Sequence, residues 1–459
     1  MSRDYTRRRA LGALAGLAAG GLAGGRSVVG RASAAGGRAD GFEPVRHGFG
    51  FRNWGRGSRY FEPAAVPTRE ALRERVRTGW RETARETIGL SPGDLPAAAT
   101  DAIVDHLRTA LEQGAGTNGH CYGMALTAQR YFERPDAIPV ARSSASEIRD
   151  PTEPSPAGDA PVYREIVERQ VEQFLRFRSW IARLAILRPA WLDVQAVLRD
   201  VRAVVAATGT ASVVLFDGSL SAHQVLVHRI TESDGETRLH LYDPNEAAPA
   251  YDRHQPTVTF VHGTDGPRMR PYGGYSGLLY TRYDQIERAT DRTRADPTDH
   301  LAVGADAVRD ALFPLLQVAV DTDDVVLKVA AADGAALGRV GGRLAARSRG
   351  RTPGIRTRYG VEPGRYRVTV VARRDAEFTL SGVVADRDAV PLDVRLSDEV
   401  AAGEVRRYSL VVPPGDEAAS LAPADREGAG PDPWVAVGAG VGVAAGVLGA
   451  RTLDRVRSR

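Results

Sequence analysis

Residues 212–242, SVVLFDGSLSAHQVLVHRITESDGETRLHLY, are the part of the sequence that decides the fold. Apolar and polar residues alternate here with a period of two, which predicts short strands separated by turns. Before this stretch, apolar residues recur at helical spacing. The predicted helices cover residues 68–87, 97–112, 122–132, 162–187 and 191–207, and the predicted strands cover 212–216, 223–230, 237–242, 257–261 and 277–280. Helices followed by antiparallel strands predict an α+β fold.

The composition of the chain excludes several classes of protein. Its 459 residues allow two or three domains, and a net charge of +4 from nearly balanced acids and bases gives no case for a nucleic-acid partner. The single cysteine, Cys121, rules out an intramolecular disulfide and a zinc site built from several thiolates. The sequence shows no phosphate-cradling glycine motif, dinucleotide fingerprint or metal-ligand cluster. It therefore predicts neither a cofactor nor a metal ion.

The composition changes near residue 320. Beyond it, short strands separated by turns are predicted at residues 325–330, 364–372, 377–384, 392–396 and 405–412. In the second of these strands, Tyr366, Val368 and Val370 alternate with polar residues and are expected to face a core. We therefore predict a small β-sandwich over residues 320–413, followed by an acidic Pro/Gly/Ala linker over 414–433.

The N-terminal end of the chain predicts export. Residues 1–34 resemble a twin-arginine signal, with the pair Arg8-Arg9, an uncharged stretch over 10–25 and a small-x-small cleavage site that ends at Ala34. The alternative is an uncleaved N-terminal anchor. Residues 35–60, which are rich in Gly and Arg, are expected to form an irregular lead-in.

The C-terminal end predicts membrane attachment. The uncharged run 434–450 is predicted to be one transmembrane helix, with a length of about 25 Å against a hydrocarbon core of about 30 Å. The tail, 451–459, carries four Arg against one Asp, so the positive-inside rule places it in the cytoplasm and the bulk of the chain outside. The predicted location is the cell membrane, with a single pass. Gly438, Gly442 and Gly446 share one helix face and would allow a homodimer, although chance also produces this spacing in so glycine-rich a segment.

Cys121 follows a glycine-rich turn and lies in the first turn of a predicted helix. A helix N-terminus carries partial positive charge and free N–H groups, which favour a thiolate over a thiol. The same N–H groups can stabilise the oxyanion of an acyl-transfer intermediate. The backbone of Cys121 is therefore predicted to form half of an oxyanion hole. The alternative is that this lone cysteine is an inert, buried residue.

His223 opens a predicted strand, and Asp243 follows the end of the next strand. Adjacent antiparallel strands of this length bring the start of the first level with the end of the second. Asp243 can then accept an N–H of His223 and fix its tautomer, while the other ring nitrogen faces Cys121. This is the nucleophile–base–orienter arrangement of a catalytic triad. Taken separately, His223 could be a satisfied histidine at a strand edge, and Asp243-Pro244-Asn245 an ordinary turn.

Taken together, three motifs resemble those of the papain-like cysteine peptidase superfamily, and the chain looks most similar to its double-glycine-leader peptidase and transglutaminase-like branches. The motifs are Gly119-His120-Cys121-Tyr122-Gly123-Met124-Ala125, His223-Gln224-Val225-Leu226-Val227 and Tyr242-Asp243-Pro244-Asn245. The resemblance covers about residues 60–285. It implies a papain-like hydrolase domain over 61–300, with a helical half and an antiparallel sheet. It also implies Cys121 as the nucleophile, His223 as the base and Asp243 as the residue that orients the base.

The chain departs from the superfamily at the oxyanion donor. Papain-like enzymes commonly use a Gln several residues before the Cys, whereas Gln113 and Asn118 are the upstream amides here and neither matches closely. Asn118 is the predicted second donor of the oxyanion hole, and its alternative role is to cap the helix. Ala222 stands where many relatives have Gly.

The sequence thus predicts an exported, membrane-anchored thiol hydrolase, either a peptidase or an amidase, that acts on peptides or amides outside the cell. The polar loop 134–160 is expected to cover or shape the cleft. One alternative is a catalytically inactive papain-like protein with a binding or structural role at the cell surface. Another is a transglutaminase-type acyl transferase. An inactive scaffold predicts a buried sulfur more than about 5 Å from His223, whereas catalysis needs hydrogen-bond reach.

Overall fold

The computed structural model of the chain describes residues 41–62, 66–90, 93, 95–115, 119–217, 222–280, 300–331, 354–386, 389–414 and 417–424. The predicted signal, transmembrane helix and basic tail lie outside these residues, as do Gly438, Gly442 and Gly446 and much of the predicted linker. None of the helices in the described part of the chain is long and apolar enough to cross a membrane. All elements named below belong to one unit by chain contacts, Phe42–Arg459.

The described residues contain nine α-helices. They are α1 (Pro44–His47), α2 (Arg69–Glu74), α3 (Arg81–Ile88), α4 (Ala97–Gly114), α5 (Cys121–Glu133), α6 (Pro161–Leu175), α7 (Phe177–Leu187), α8 (Val194–Thr208) and α9 (Ala305–Leu312). The single helix predicted over 162–187 is two helices, because Arg176 leaves the helical region with φ −88° and ψ 129°. The indole N–H of Trp80 donates to the carbonyl oxygen of Leu175 at 2.7 Å, which satisfies a backbone acceptor at this break.

A six-stranded antiparallel sheet follows the first eight helices. Its strands are β1 (Ala211–Phe216), β2 (Ala222–Ser233), β3 (Glu236–Tyr242), β4 (Thr257–Gly263), β5 (Gly266–Met269) and β6 (Gly277–Tyr280), in the order β5-β4-β3-β2-β1-β6. Val225 and Val227 of β2 share an apolar cluster with α8, whereas Leu226 shares one with α5. Successive side chains of a strand point to opposite faces, so α8 and α5 cover opposite faces of the sheet.

The pairing of β2 with β3 determines where polar side chains meet. Leu226 of β2 lies opposite Tyr242 of β3. The start of β2 therefore lies beside the chain that leaves β3. A register shift between Val227 and Arg229 occurs further along the pair and leaves this end unchanged.

Two four-stranded antiparallel sheets form the C-terminal part of the described chain. Their strands are β7 (Leu315–Val320), β8 (Val325–Ala331), β9 (Ile355–Arg358), β10 (Gly364–Ala372), β11 (Ala376–Ala385), β12 (Leu392–Val400), β13 (Val405–Val412) and β14 (Ser420–Pro423). The orders are β14-β13-β10-β8 and β12-β11-β7-β9, and the buried apolar residues of both sheets form one cluster. The fold is therefore α+β with antiparallel sheets, as predicted.

Details of these sheets differ from the sequence-based expectation. The strands extend beyond the predicted range 320–413, because the apolar strand β7 precedes the change in composition. Val368 and Val370 of β10 are fully buried as predicted. Thr369, one of the polar residues that alternate with them and would face water in this pattern, is only 8% exposed. It lies opposite Lys328 and Arg407 on the neighbouring strands, where long aliphatic stems can cover a short side chain.

Candidate active site

Cys121 is the first residue of α5 and is partly exposed. Gly123, in the first turn of this helix, allows α5 to approach α6 closely, since a Cβ at this position would lie 2.0 Å from the carbonyl oxygen of Ile166. The turn before the helix passes through Gly119, whose φ of +134° favours glycine. The glycines around the cysteine therefore have a steric role in placing it.

The first turn of α5 is capped from a neighbouring helix. His120, at the N-cap position, makes no capping hydrogen bond with its side chain. Instead, the N–H of Gly123 donates to Oε1 of Gln170 in α6 at 3.1 Å. In the first turn of a helix the N–H groups have no carbonyl partner four residues earlier in the same helix. The positive end of the helix therefore lies beside the sulfur of Cys121.

His223 and Asp243 are in direct contact. Nε2 of His223 lies 2.6 Å from Oδ1 of Asp243, and the two residues are 4% and 6% exposed. His223 lies at the start of β2 and Asp243 directly after β3, so the register that pairs Leu226 with Tyr242 brings them together. The structure thus places these two predicted site residues within hydrogen-bond distance.

The thiol of Cys121 and the ring of His223 interact, and each shifts the pKa of the other. Because Asp243 engages Nε2, the ring nitrogen that faces the sulfur is Nδ1. Burial alone would raise the pKa of the Cys121 thiol, but His223 and the N–H groups of Gln224 and Tyr122 lower this pKa below its usual value. Burial alone would also lower the pKa of His223, but Asp243 and Cys121 raise it to about 10. Both shifts favour the thiolate–imidazolium form of the pair over the thiol–imidazole form.

The carboxylate of Asp243 is held at both oxygens. Oδ1 accepts the N–H of Asn245 at 2.9 Å in addition to its contact with His223, and Oδ2 accepts the hydroxyl of Tyr272 at 2.9 Å. Burial alone would raise the pKa of Asp243, but His223, Asn245 and Tyr272 together lower it. Asp243 is therefore ionised at neutral pH, and its orientation is fixed.

Tyr272 belongs to a tight turn that lies outside the three sequence motifs. Tyr272 and Tyr275 exchange backbone hydrogen bonds of 2.9 Å across Gly273 and Gly274, which both have positive φ. The ring of Tyr275 stacks on that of His223, with centroids 6.0 Å apart and planes inclined by 16°. Two glycines between apolar or aromatic residues are a signal for a two-residue hairpin turn, which could have located this pair.

The lead-in also reaches the site. Oδ1 of Asn53 accepts the N–H of His120 at 2.6 Å, and Nδ2 of Asn53 donates to Oδ1 of Asn245 at 3.0 Å. The ring of Trp54 stacks on that of His120 at 4.5 Å, and its carbonyl oxygen accepts the Nδ1–H of His120 at 2.9 Å. Residues predicted only as an irregular segment are therefore part of the surroundings of Cys121.

The sequence also predicted roles for Asn118 and for the loop 134–160, and it predicted no metal site. Asn118 lies outside the described residues, so its role in the oxyanion hole stays a prediction. The loop 134–160 packs on the lead-in, where Gly50 N–H donates to the carbonyl oxygen of Ile148 at 3.0 Å. Among the residues that the structure describes, no group of three or more His, Cys, Asp or Glu side chains is arranged to hold a metal ion.

The site is a series of three groups: a thiol at a helix N-terminus, a buried imidazole that interacts with it, and a buried carboxylate hydrogen-bonded to the imidazole. Such a series can generate a thiolate and carry a proton to and from a bound substrate.

No protein-family model matches the chain, and no curated protein or solved structure matches it either. The chemistry of Cys121, His223 and Asp243 is therefore the basis on which a function can be assigned.

Proposed function

We propose that this chain is a thiol hydrolase, either a peptidase or an amidase, with a papain-like domain over residues 61–300. The observation that carries this proposal is the buried His223–Asp243 hydrogen bond beside the thiol of Cys121, whose pKa His223 lowers. A cysteine retained only for packing needs no imidazole and carboxylate beside it. Burying an imidazole and a carboxylate costs desolvation free energy that pairing only partly offsets, so their presence next to the thiol favours a chemical role.

In the first half-reaction, the thiolate of Cys121 attacks the carbonyl carbon of a peptide or amide. An S–C bond forms while the π electrons of the carbonyl move to its oxygen, and the N–H of Cys121 at the start of α5 stabilises this oxyanion. The carbonyl then re-forms and the C–N bond breaks. The leaving nitrogen takes the proton from Nδ1 of His223, which leaves a thioester and a free amine.

In the second half-reaction, water attacks the thioester carbonyl and gives a proton to Nδ1 of His223. Collapse of the new oxyanion breaks the C–S bond, releases the acid and restores the thiolate of Cys121 with its imidazolium. Asp243 accepts the Nε2–H of His223 throughout, so Nδ1 keeps facing the sulfur and the imidazolium is stabilised. An amine in place of water would give acyl transfer instead.

The same proposal places the domain outside the cytoplasm, held by one helix over 434–450, with the β-sandwich and linker as a spacer. The Arg8-Arg9 signal and the Arg-rich tail of the sequence support this topology. Because Cys121 is the single cysteine, a membrane-impermeant maleimide tests it in intact cells. Labelling that occurs in wild type but not in Cys121→Ala is expected, and labelling only after lysis would contradict the topology.

The chemical proposal is tested with a thiol-reactive peptide probe on the purified full chain. Wild type should react with one equivalent, far faster than free cysteine, and Cys121→Ala should not react. A rate no higher than that of free cysteine would instead indicate an inactive scaffold. Incubation with a peptide mixture and an added primary amine then separates the two reactions, since hydrolysis gives acids and acyl transfer incorporates the amine.

A further inference from the structure

The lead-in inserts one side chain between the loop of the nucleophile and the loop of the carboxylate. Oδ1 of Asn53 accepts the N–H of His120, the residue before Cys121, at 2.6 Å. Nδ2 of Asn53 donates to Oδ1 of Asn245 at 3.0 Å. Its backbone N–H also donates to the carbonyl oxygen of Pro244 at 2.7 Å. Asn53 is therefore bonded to both loops at once.

Both loops are shaped around this amide. A Cβ at Gly119 would lie 2.5 Å from Nδ2 of Asn53, so only glycine leaves room for the side chain. On the other side, the N–H of Asn245 donates to Oδ1 of Asp243 at 2.9 Å, and its amide nitrogen lies 3.2 Å from Nε2 of His223. The orientation of Asn53 follows from its partners, because a backbone N–H needs the oxygen and leaves the NH₂ group for Asn245.

We propose that Asn53 is a positioning residue of the proposed catalytic site, and that it maintains the contact between Cys121 and His223 by tying the two loops together. It acts through His120 and Asn245 rather than on the substrate. The inference rests on the proposed function of Cys121. The bond to Asn245 is exposed and the bond to His120 is partly buried, so the effect of losing both is moderate.

The single thiol of the chain allows a direct measurement. Alkylation of the purified full chain by iodoacetamide, followed from about pH 4 to about pH 10, reports the thiolate of Cys121. In Asn53→Ala we expect the midpoint of this profile to rise by about one unit, with a rate about tenfold lower at pH values below the wild-type midpoint. A purely structural loss would lower the folded fraction without moving the midpoint of the molecules that remain folded.

The matched control is Arg52→Ala, the preceding residue of the same segment. The side chain of Arg52 is 64% exposed and contacts Glu246 at 3.4 Å, so its removal disturbs the lead-in without breaking the bonds of Asn53. This variant should keep the wild-type alkylation profile. A shift in Arg52→Ala equal to that in Asn53→Ala would overturn the specific role of Asn53.

The outcomes separate the two proposals. A wild-type midpoint near the ordinary thiol pKa would overturn the proposed function itself. A low midpoint in wild type that is unchanged in folded Asn53→Ala would overturn only the role of Asn53. If Asn53→Ala does not fold, Asn53→Ser decides by the same measurement, because a short hydroxyl breaks the bridge but keeps a polar group beside His120. Failure of both variants to fold would assign Asn53 to stability alone and overturn the proposal.

Discussion

The two β-rich regions of the chain bury different kinds of residue. At the end of the six-stranded sheet, His223, Gln224 and Asp243 are all buried. In the two C-terminal sheets, Gln317 and Thr369 are the only buried polar residues other than tyrosines among those that the structure describes. Antiparallel pairing needs no buried charge. The buried polar groups of the six-stranded sheet therefore form the region in which we propose the reaction takes place, whereas the C-terminal sheets bury mainly apolar residues.

One kind of hydrogen bond occurs in both regions. The hydroxyl of Tyr272 donates to Asp243 at 2.9 Å, and the hydroxyl of Tyr408 donates to Asp398 at 2.7 Å. Asp243 continues through His223 to the thiol, whereas Asp398 forms an ion pair with Arg406 at 3.3 Å, where both side chains are one-third exposed. The same type of hydrogen bond, from tyrosine to aspartate, therefore occurs in both regions. Removing each one in turn tests whether the two regions differ in function.

The largest effect is expected from His223→Ala. This change removes the proposed proton carrier and a group that lowers the pKa of Cys121, so kcat/KM for a peptide substrate should fall by about 10³-fold. Alkylation should then show an ordinary thiol pKa. The control is His254→Ala, which removes an exposed histidine. Activity close to wild type in His223→Ala would show that the buried polar groups of the six-stranded sheet have no special role in the reaction.

The next largest effect is expected from Asp243→Asn, with a loss of about 10²-fold in kcat/KM and a narrower pH profile. The carboxylate helps to raise the pKa of His223 to about 10, so the amide should move the alkaline limb to lower pH. Without the carboxylate, the imidazolium of His223 is less stable and lowers the pKa of Cys121 less. The acidic limb should therefore move to higher pH. The pH dependence of kcat/KM measures both limbs, and an unchanged profile would exclude Asp243 from the series.

How far the sequence predicts this site depends on the origin of each contact. The contact of His223 with Asp243 follows from period-two strands and a short connection, which together determine the register. The contacts of Asn53 join residues 67 and 192 positions apart and depend on loop conformation, for which no periodic pattern exists. No local pattern distinguishes Gln170 from the other residues of its amphipathic helix, although its side chain caps α5.

The break between α6 and α7 shows that prediction of the fold from local sequence has the same limit. The amphipathic pattern continues across Arg176 without proline or glycine, so it predicts one helix over 162–187. In the structure, Leu175 and Phe177 are both buried and the indole of Trp80 binds the carbonyl released between them. Tertiary packing overrides helix propensity here, and that packing is absent from a local sequence window.

A smaller effect is expected from Tyr272→Phe, measured beside Tyr408→Phe. Each change removes one hydrogen bond to a carboxylate and should lower the free energy of unfolding by about 1 kcal/mol. Only Tyr272→Phe should reduce kcat/KM, by several-fold. Tyr272 helps to lower the pKa of Asp243, so its loss makes the carboxylate a poorer partner for the His223 imidazolium, and the acidic limb should move to higher pH in the same direction as in Asp243→Asn. An equal kinetic effect of Tyr408→Phe would show that the two bonds do not differ in function.

The smallest effect on activity is expected from the apolar region. Leu380 is fully buried in β11, within the cluster shared by the two C-terminal sheets. Leu380→Ala should lower the free energy of unfolding by about 2–5 kcal/mol in denaturant titrations, because it leaves a cavity. The alkylation profile of Cys121 should stay at its wild-type position in the folded protein, since no group of the polar series is altered. If the profile moved with Leu380, the apolar region could not be treated as a source of stability alone, and the two regions would have to be analysed as one energetically coupled unit.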